Sequence, residues 1–413
     1  MLQDKEHDMT LIRLAFRNIF RNKARSSLTM GAIGFGVLMT LLLGSFILGL
    51  GSAMIDDTIL GRIGALQVHK KGYDEVKDSQ PLDYDLPADP ALMAQIARIA
   101  GVRAVAPRLV FSGLISNGSQ STMMLAMGVD PKAEYQVLTT AKDFLQGKAV
   151  TEESKNGALI GKDLADALEL KLGGAGSLQA ATKAGQQNAL DLELVGTTDN
   201  GNAFESKRQL FVPLAYAQEL LGMPGRLTEI VVGVTDRDEV EAVAARVRQA
   251  LGPTYEVQTW AQLRPNVQDV VDFQKMVLGA ICLVFLVIAI IGVVNTMLMS
   301  VMERTREIGT MMAVGVKRRS ISLMFLLEAV AMSALGGGLA MTVALIAIRT
   351  IAARGGIPAN APGSTAVYHI VPITPVGLIV PTLVATLLGT ALAGVYPAIR
   401  ASRLRPVEAL RAT

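Results

Sequence analysis

Few of the residues able to do chemistry in this sequence stand where chemistry could use them. The one cysteine, Cys282, lies inside an apolar run, so neither an intramolecular disulfide nor a cysteine metal site can form. A packed thiol is its expected role. The three histidines, His7, His69 and His369, are far apart and share no ligand spacing. A phosphate-cradling loop needs Gly-x-x-x-x-Gly-Lys followed by Ser or Thr. The nearest string, from Gly157 to Asp163, is one residue short and ends in a carboxylate where Mg²⁺ needs a hydroxyl. No Gly-x-Ser-x-Gly elbow and no His-Glu-x-x-His helix occurs. The chain is therefore expected to be no enzyme, and to bind no metal or cofactor of its own.

Charge is placed more tellingly. Arg13, Arg17, Arg21 and Arg25 recur every four residues and share one helical face, with Phe16, Ile19 and Phe20 filling much of the remainder. Residues 9–27 thus read as a basic amphipathic helix lying in the headgroup plane of a membrane. A second group of charges, Glu303, Arg304, Arg306 and Glu307, follows a long apolar stretch and precedes Lys317, Arg318 and Arg319. A single carboxylate, Glu328, sits well inside another apolar stretch, about two turns from its basic end. A structural role is expected, either pairing with a basic group there or remaining partly hydrated, since a proton or solute path would need further ionisable groups.

These residues are carried on a chain solvated in part by lipid. Of 413 residues, 51% are hydrophobic and 18% charged, and the net charge of +3 gives no sign of nucleic-acid binding. Crossing a bilayer core takes about 20 apolar residues, and four stretches meet that length: 28–55, 277–301, 321–348 and 376–399. The first is too long for the apolar core of a cleaved signal peptide and reads as a permanent anchor. Lys and Arg crowd before the first stretch, in 302–320, and in 400–413, whereas 349–375 holds only Arg349 and Arg354. The positive-inside rule then places both termini in the cytoplasm and residues 56–275 outside.

That outward segment mixes strand and helix signals. Residues 102–118 and 121–130 read as β-rich with a turn at Asn117-Gly118, and 227–260 reads as strand, helix, strand. Gly157–Leu170 reads as a short strand entering a helix. Helical spacing in 52–63 and at Val267, Val270, Val271 and Gln274 predicts stalks that prolong the first two spans. The expected fold class is a four-helix membrane protein with an N-terminal interfacial helix and a large α+β domain inserted between the first two spans.

At residues 303–315 the sequence resembles a known family. Glu303-Arg-Thr-Arg-Glu307-Ile-Gly309, continuing to Ala313-Val-Gly315, is similar to the signature of FtsX/MacB-like permeases, the type VII ABC transporter subunits. Arg17 to Ser26 resembles the family's leading helix, Phe325–Ala329 with Ser333–Gly337 its third span, and Pro397–Ala401 with Leu404–Arg411 its tail. Gly196-Thr-Thr, Pro213-Leu-Ala and Thr259-Trp260 resemble a MacB-like periplasmic domain. The resemblance implies a bacterial inner-membrane permease working by mechanotransmission. Two copies of a separate ABC ATPase, which hold the ATP and Mg²⁺, would dock beneath a permease homodimer or heterodimer. Glu303, Arg304, Arg306, Glu307, Ile308 and Gly309 would form the ATPase-coupling segment.

MacB-type chains carry a fused ATPase domain, and none is legible in these 413 residues. Together with the stretch Ala65–Tyr73, this resembles more closely the LolC/LolE lipoprotein-releasing branch. Lipoprotein release from the inner membrane is accordingly the leading expectation, with a periplasmic lipoprotein carrier as partner. Tripartite efflux through an adaptor, and FtsX-like signalling to a cell-wall hydrolase, are the alternatives.

Overall fold

The computed structural model describes residues 23–76, 82–151, 153–199, 203–360 and 367–403. Arg13, Arg17 and Arg21 of the expected interfacial helix, and the tail motif from Leu404 to Arg411, lie outside the described residues. The chain divides into two compact units, one reaching to Gly51 and comprising also Val270–Ile357 and the chain from Ile370, the other comprising Ser52–Asp269 and Pro358–His369.

The membrane unit is built on helices α1 (Lys23–Asp57), α2 (Pro265–Glu303), α3 (Thr305–Ala313), α4 (Arg318–Ala353) and α5 (Val376–Ser402). All but α3 are long and apolar enough to span a bilayer, where a helix is the one way for a single segment to satisfy its own backbone. At 1.5 Å per residue, α1 and α2 are roughly 50–60 Å long. This well exceeds the hydrocarbon thickness of about 30 Å. Helix α5 runs unbroken through Pro381 and Pro397. Thr382, Thr386 and Thr390 each donate to the carbonyl four residues back in the same helix.

Two apolar clusters hold the bundle. One joins Val293, Met297 and Val301 of α2 to Phe325 and Ala329 of α4 and Ala398 of α5. The other joins Val37 and Leu41 of α1 to Ala340 and Ala344 of α4 and Leu378 of α5. Of the glycines in the spans, Gly34 and Gly336 mark the close approach of α1 to α4. A Cβ at Gly336 would lie 2.7 Å from the Met30 carbonyl oxygen, and one at Gly34 3.1 Å from the Gly336 carbonyl oxygen. Gly338, two residues on, faces open space. Gly336→Leu is expected to cost about 1–3 kcal/mol by forcing the helices apart. Gly338→Leu should leave thermal stability near that of the parent, as read by size-exclusion recovery after heating.

The outer unit is organised by a ten-stranded sheet. Its strands are β1 (Leu66–Lys70), β2 (Val102–Ser116), β3 (Ser121–Val129), β4 (Leu145–Gly147), β5 (Gly157–Gly161), β6 (Ala175–Ala181), β7 (Gln187–Thr198), β8 (Gln209–Pro213), β9 (Glu229–Val234) and β10 (Tyr255–Thr259). The order is β10-β1-β9-β2-β3-β8-β5-β7-β4, and β6 bridges β2 and β7. Strands β2, β3, β8, β5, β7 and β6 therefore close on themselves as a ring. The ring encloses a core that includes Phe111, Ala126, Ile160, Leu178, Leu194 and Leu210.

Beyond the ring, β9, β1 and β10 carry a second core with helices Pro90–Ala97 and Val240–Leu251, built on Leu66, Val68, Ile230, Val232, Val243 and Val247. The β2–β3 turn falls at Asn117-Gly118 as the sequence predicts. There the Asn117 Oδ1 accepts from the Ser119 and Gln120 amides, and Gly118 takes φ +92°. Buried Asp85 ties distant loops, accepting from Arg226 Nε at 2.6 Å and Lys183 Nζ at 2.9 Å. Burial raises its pKa, but these two cations outweigh burial and hold the carboxyl at about 2.

Candidate functional site

Helix α2 ends at Glu303, α3 begins at Thr305, and the single residue between them, Arg304, bends the chain with φ −99° and ψ +13°. The apolar residues of α3 are turned onto the membrane helices. Ile308 is fully buried in the cluster with Val301, Ile321 and Phe325, and Met311, Met312 and Val316 pack against the same cluster. Gly315 then takes φ +100°, a left-handed turn that favours glycine, and Lys317 leads into α4.

The coupling residues consequently divide. Glu303, Arg306 and Glu307 are exposed, as are Thr310, Ala313 and Val314 on the same short segment. Arg304, Ile308 and Gly309 are buried. Most of the apolar surface of α3 is thus committed within the chain, and the face it presents outward is charged and polar except at its end, where Ala313 and Val314 are exposed.

Arg304 meets the intramembrane carboxylate. Its Nη1 lies 3.3 Å from Oε2 of Glu328 on α4, with both side chains almost wholly buried. The pair joins the α2–α3 bend to α4, so the lone charge of the apolar stretches is a tie between helices. It does not stand at the head of a row of ionisable groups: the sequence of the four apolar stretches contains no other Asp, Glu, Lys or Arg. The sequence left Glu328 either a basic partner or partial hydration, and placed Arg304 with the docking charges. Side-chain direction around the one-residue bend is what it lacked.

In the outer unit the sequence pattern missed two charged centres. Arg108 is fully buried in the sheet and donates through Nε and Nη2 to Glu134 and through Nη1 to Glu229 at 3.2 Å. Its Nη2 also donates to the Arg62 carbonyl at 3.1 Å. Burial opposes its charge, yet the two carboxylates more than offset this and hold the guanidinium above its ordinary pKa. The second centre is Glu205, which accepts from Arg62 at 2.6 Å and from Arg264 at 2.9 Å. Arg62 also pairs with Asp57 at 2.8 Å. Arg62 lies on the π-helical turn Thr58–Ile63 that continues α1, and Arg264 immediately precedes α2. One carboxylate thus fastens the point where the chain comes out of α1 to the point where it turns into α2.

Comparison with known proteins agrees with this architecture. Residues 26–250 match the MacB-like periplasmic core domain, and residues 279–406 match the FtsX-like permease C-terminal domain. The chain belongs to the MacB-like permease family, and is an ABC transporter permease of the MacB/FtsX type. It is 26% identical to the macrolide export ATP-binding/permease protein MacB of Bdellovibrio bacteriovorus, over 96% of this chain and 60% of that one. It is 25% identical to the uncharacterized ABC transporter permease YvrN of Bacillus subtilis, over 97% of this chain and 98% of that one. MacB of Escherichia coli matches at 30% identity over 52% of this chain and 33% of its own length. The chain thus spans 60% or less of these MacB proteins. Among solved structures, the periplasmic region of MacB from Actinobacillus actinomycetemcomitans aligns with a TM-score of 0.36 and 11% identity, over 52% of this chain and 98% of that one.

Proposed function

We propose that this chain is the mechanotransmitting permease of an ABC transporter, driven by an ATPase that docks on α3. The observation that carries the reading is the division of the coupling segment. A helix whose apolar face is packed on its own membrane helices, and whose outer face carries Arg306 and Glu307, transmits a push on that face directly to α2 and α4. Apolar spans with one internal ion pair provide no hydrated path for a charged solute, and suit helices that move as rods. In this reading both termini are cytoplasmic, the outer unit is periplasmic, two permease chains pair, and ATP and Mg²⁺ reside on the ATPase.

For the work done outside, two readings have support. The stretch Ala65–Tyr73 favours extraction of lipoproteins, delivered to a periplasmic carrier. The relatives named as macrolide exporters favour efflux of small amphipathic molecules through an adaptor, and they tip the balance towards export. FtsX-like signalling has no observation of its own in its favour.

The docking reading is tested with the full chain purified from the membranes of its host into lipid nanodiscs. ATP hydrolysis is expected to copurify with it. Because like charges facing each other across an interface cost several kcal/mol, Glu303→Lys combined with Glu307→Lys should lower that activity by roughly tenfold or more, with the thermal midpoint of the chain unchanged. Hydrolysis that survives the double reversal would overturn the assignment of the docking face. Macrolide susceptibility and lipoprotein release from spheroplasts, compared with and without the chain, separate the two outward readings.

A further inference from the structure

A cleft of about 610 Å³ opens on one face of the outer sheet, within the range of about 300–1,000 Å³ usual for small-molecule pockets. Its floor follows from strand register. Val110 pairs with Met127 and Ser112 with Leu125 across β2 and β3, so these side chains share one face. The opposite face of the same two strands supplies Phe111, Met124 and Ala126 to the enclosed ring core. Met123, 67% exposed, and Phe204, 69% exposed, stand among the lining residues, and Arg208 stacks over the Phe204 ring at 5.0 Å. Methionines on such a floor adapt to apolar bodies of varied shape.

The other end of the cleft is polar. It is built by β1 and β10, whose Gln67 and Gln258 are register partners, and by His69 and Tyr73, whose rings stack at 4.4 Å. His69 Nδ1 lies 3.4 Å from the Thr228 carbonyl oxygen and Nε2 lies 3.2 Å from the Gln67 Oε1, and burial lowers its pKa. Burial likewise raises the Tyr73 phenol, which stays protonated. The carboxylates that reach the lining are already taken up, Glu229 by Arg108 and Glu205 by Arg62 and Arg264. The Tyr73 and Gln258 side chains, 5% and 7% exposed, line the cleft, where the hydroxyl and the amide can meet a polar group of a bound molecule.

We infer that this cleft binds an uncharged amphiphile, its apolar body on Val110, Met123, Leu125 and Met127 and its hydroxyl- or amide-bearing end at Tyr73 and Gln258. The inference concerns the outer unit alone and does not rest on ATPase docking at α3. The full chain in nanodiscs is irradiated with a monoacylglycerol carrying a diazirine at the end of its acyl chain, and adducts are mapped by mass spectrometry. Adducts are expected within Ser121–Val129 and are expected to be competed away by unlabelled monodecanoylglycerol. Octyl glucoside below its micelle concentration should compete too, because the chemistry recognised is a hydroxylated head on an apolar body.

A neutral hydrogen bond corresponds to a several-fold change in an equilibrium constant, so Tyr73→Phe and Gln258→Leu should each lower adduct yield roughly threefold to tenfold. Both variants keep side-chain volume, and recovery as a monodisperse species shows that they fold. Adducts confined to the membrane helices would overturn the site. Cleft adducts of undiminished yield in both variants, or equal labelling by the corresponding fatty acid, would overturn the assigned head chemistry.

Discussion

Replacing Arg108 by Met is expected to destabilise the outer unit by about 3–5 kcal/mol, as removal of one member of a buried ionic network does. Arg108 is fully enclosed, and Glu134 and Glu229 are each more than nine-tenths buried beside it. Without the guanidinium, two carboxylates share an enclosed site and at least one must bind a proton to remain there. The variant's stability then acquires a pH dependence that the parent lacks at this site. A carboxyl whose folded pKa rises above its unfolded value of about 4.3 contributes stability below that value and loses it as pH climbs towards the folded pKa. The thermal midpoint of Arg108→Met should therefore rise as pH is lowered from 8 towards 5. In the parent, Arg108 is charged throughout that interval, because its partners hold its pKa above the ordinary arginine value. Glu229→Gln, which leaves a one-to-one pair of Arg108 with Glu134, should cost much less and show little of this pH response. A pH-independent loss in Arg108→Met would mean that the missing interaction is packing rather than charge.

The membrane plan was legible because each span is a long apolar run, and bilayer thickness converts length into topology with few alternatives. The hairpin of β2 and β3 was legible because a β-rich run and Asn117-Gly118 are local signals. Strands β1 and β6 escaped notice. Leu66–Lys70 alternates for only four residues, Leu66 and Val68 against Gln67 and His69, too short a signal to stand out, and Ala175–Ala181 is composed mostly of small residues with weak strand signals. Closure of the ring depends on β6 reaching both β2 and β7, and such long-range pairing has no local signature. Arg108 carried a clue in retrospect: a guanidinium inside the apolar run from Val105 to Phe111 must find carboxylates when that run is buried. Its partners lie 26 and 121 residues away, however, and only the fold brings them together. The coupling motif was legible as a motif. Its division into an exposed charged face and a buried Arg304 was not, since the turn of one residue between α2 and α3 decides it.

Arg304 and Glu328 form a buried pair whose two members should respond unequally to loss of the partner. In Arg304→Met, the Glu328 carboxylate stays on a rigid helix at 4% exposure, and its short side chain cannot reach water without disturbing α4. The expected cost is at the upper end of about 3–5 kcal/mol. In Glu328→Leu, the orphaned guanidinium sits at the bend between two helices on a long, flexible stem. It can swing its head to the aqueous boundary while leaving the stem packed, so a smaller loss is expected. The double variant Arg304→Met with Glu328→Leu removes both charges and substitutes apolar volume, and should recover most of the stability lost in Arg304→Met. Thermal midpoints of all four proteins in nanodiscs give the coupling energy directly. Function should separate from stability in that cycle. If the pair ties the α2–α3 bend to α4, the double variant will be stable yet transmit poorly, with ATP hydrolysis no longer responding to changes in the outer unit. A double variant that is both stable and fully coupled would show that the pair serves only to neutralise charge, leaving the apolar packing of Ile308 against Phe325 and Ile321 to carry the motion alone.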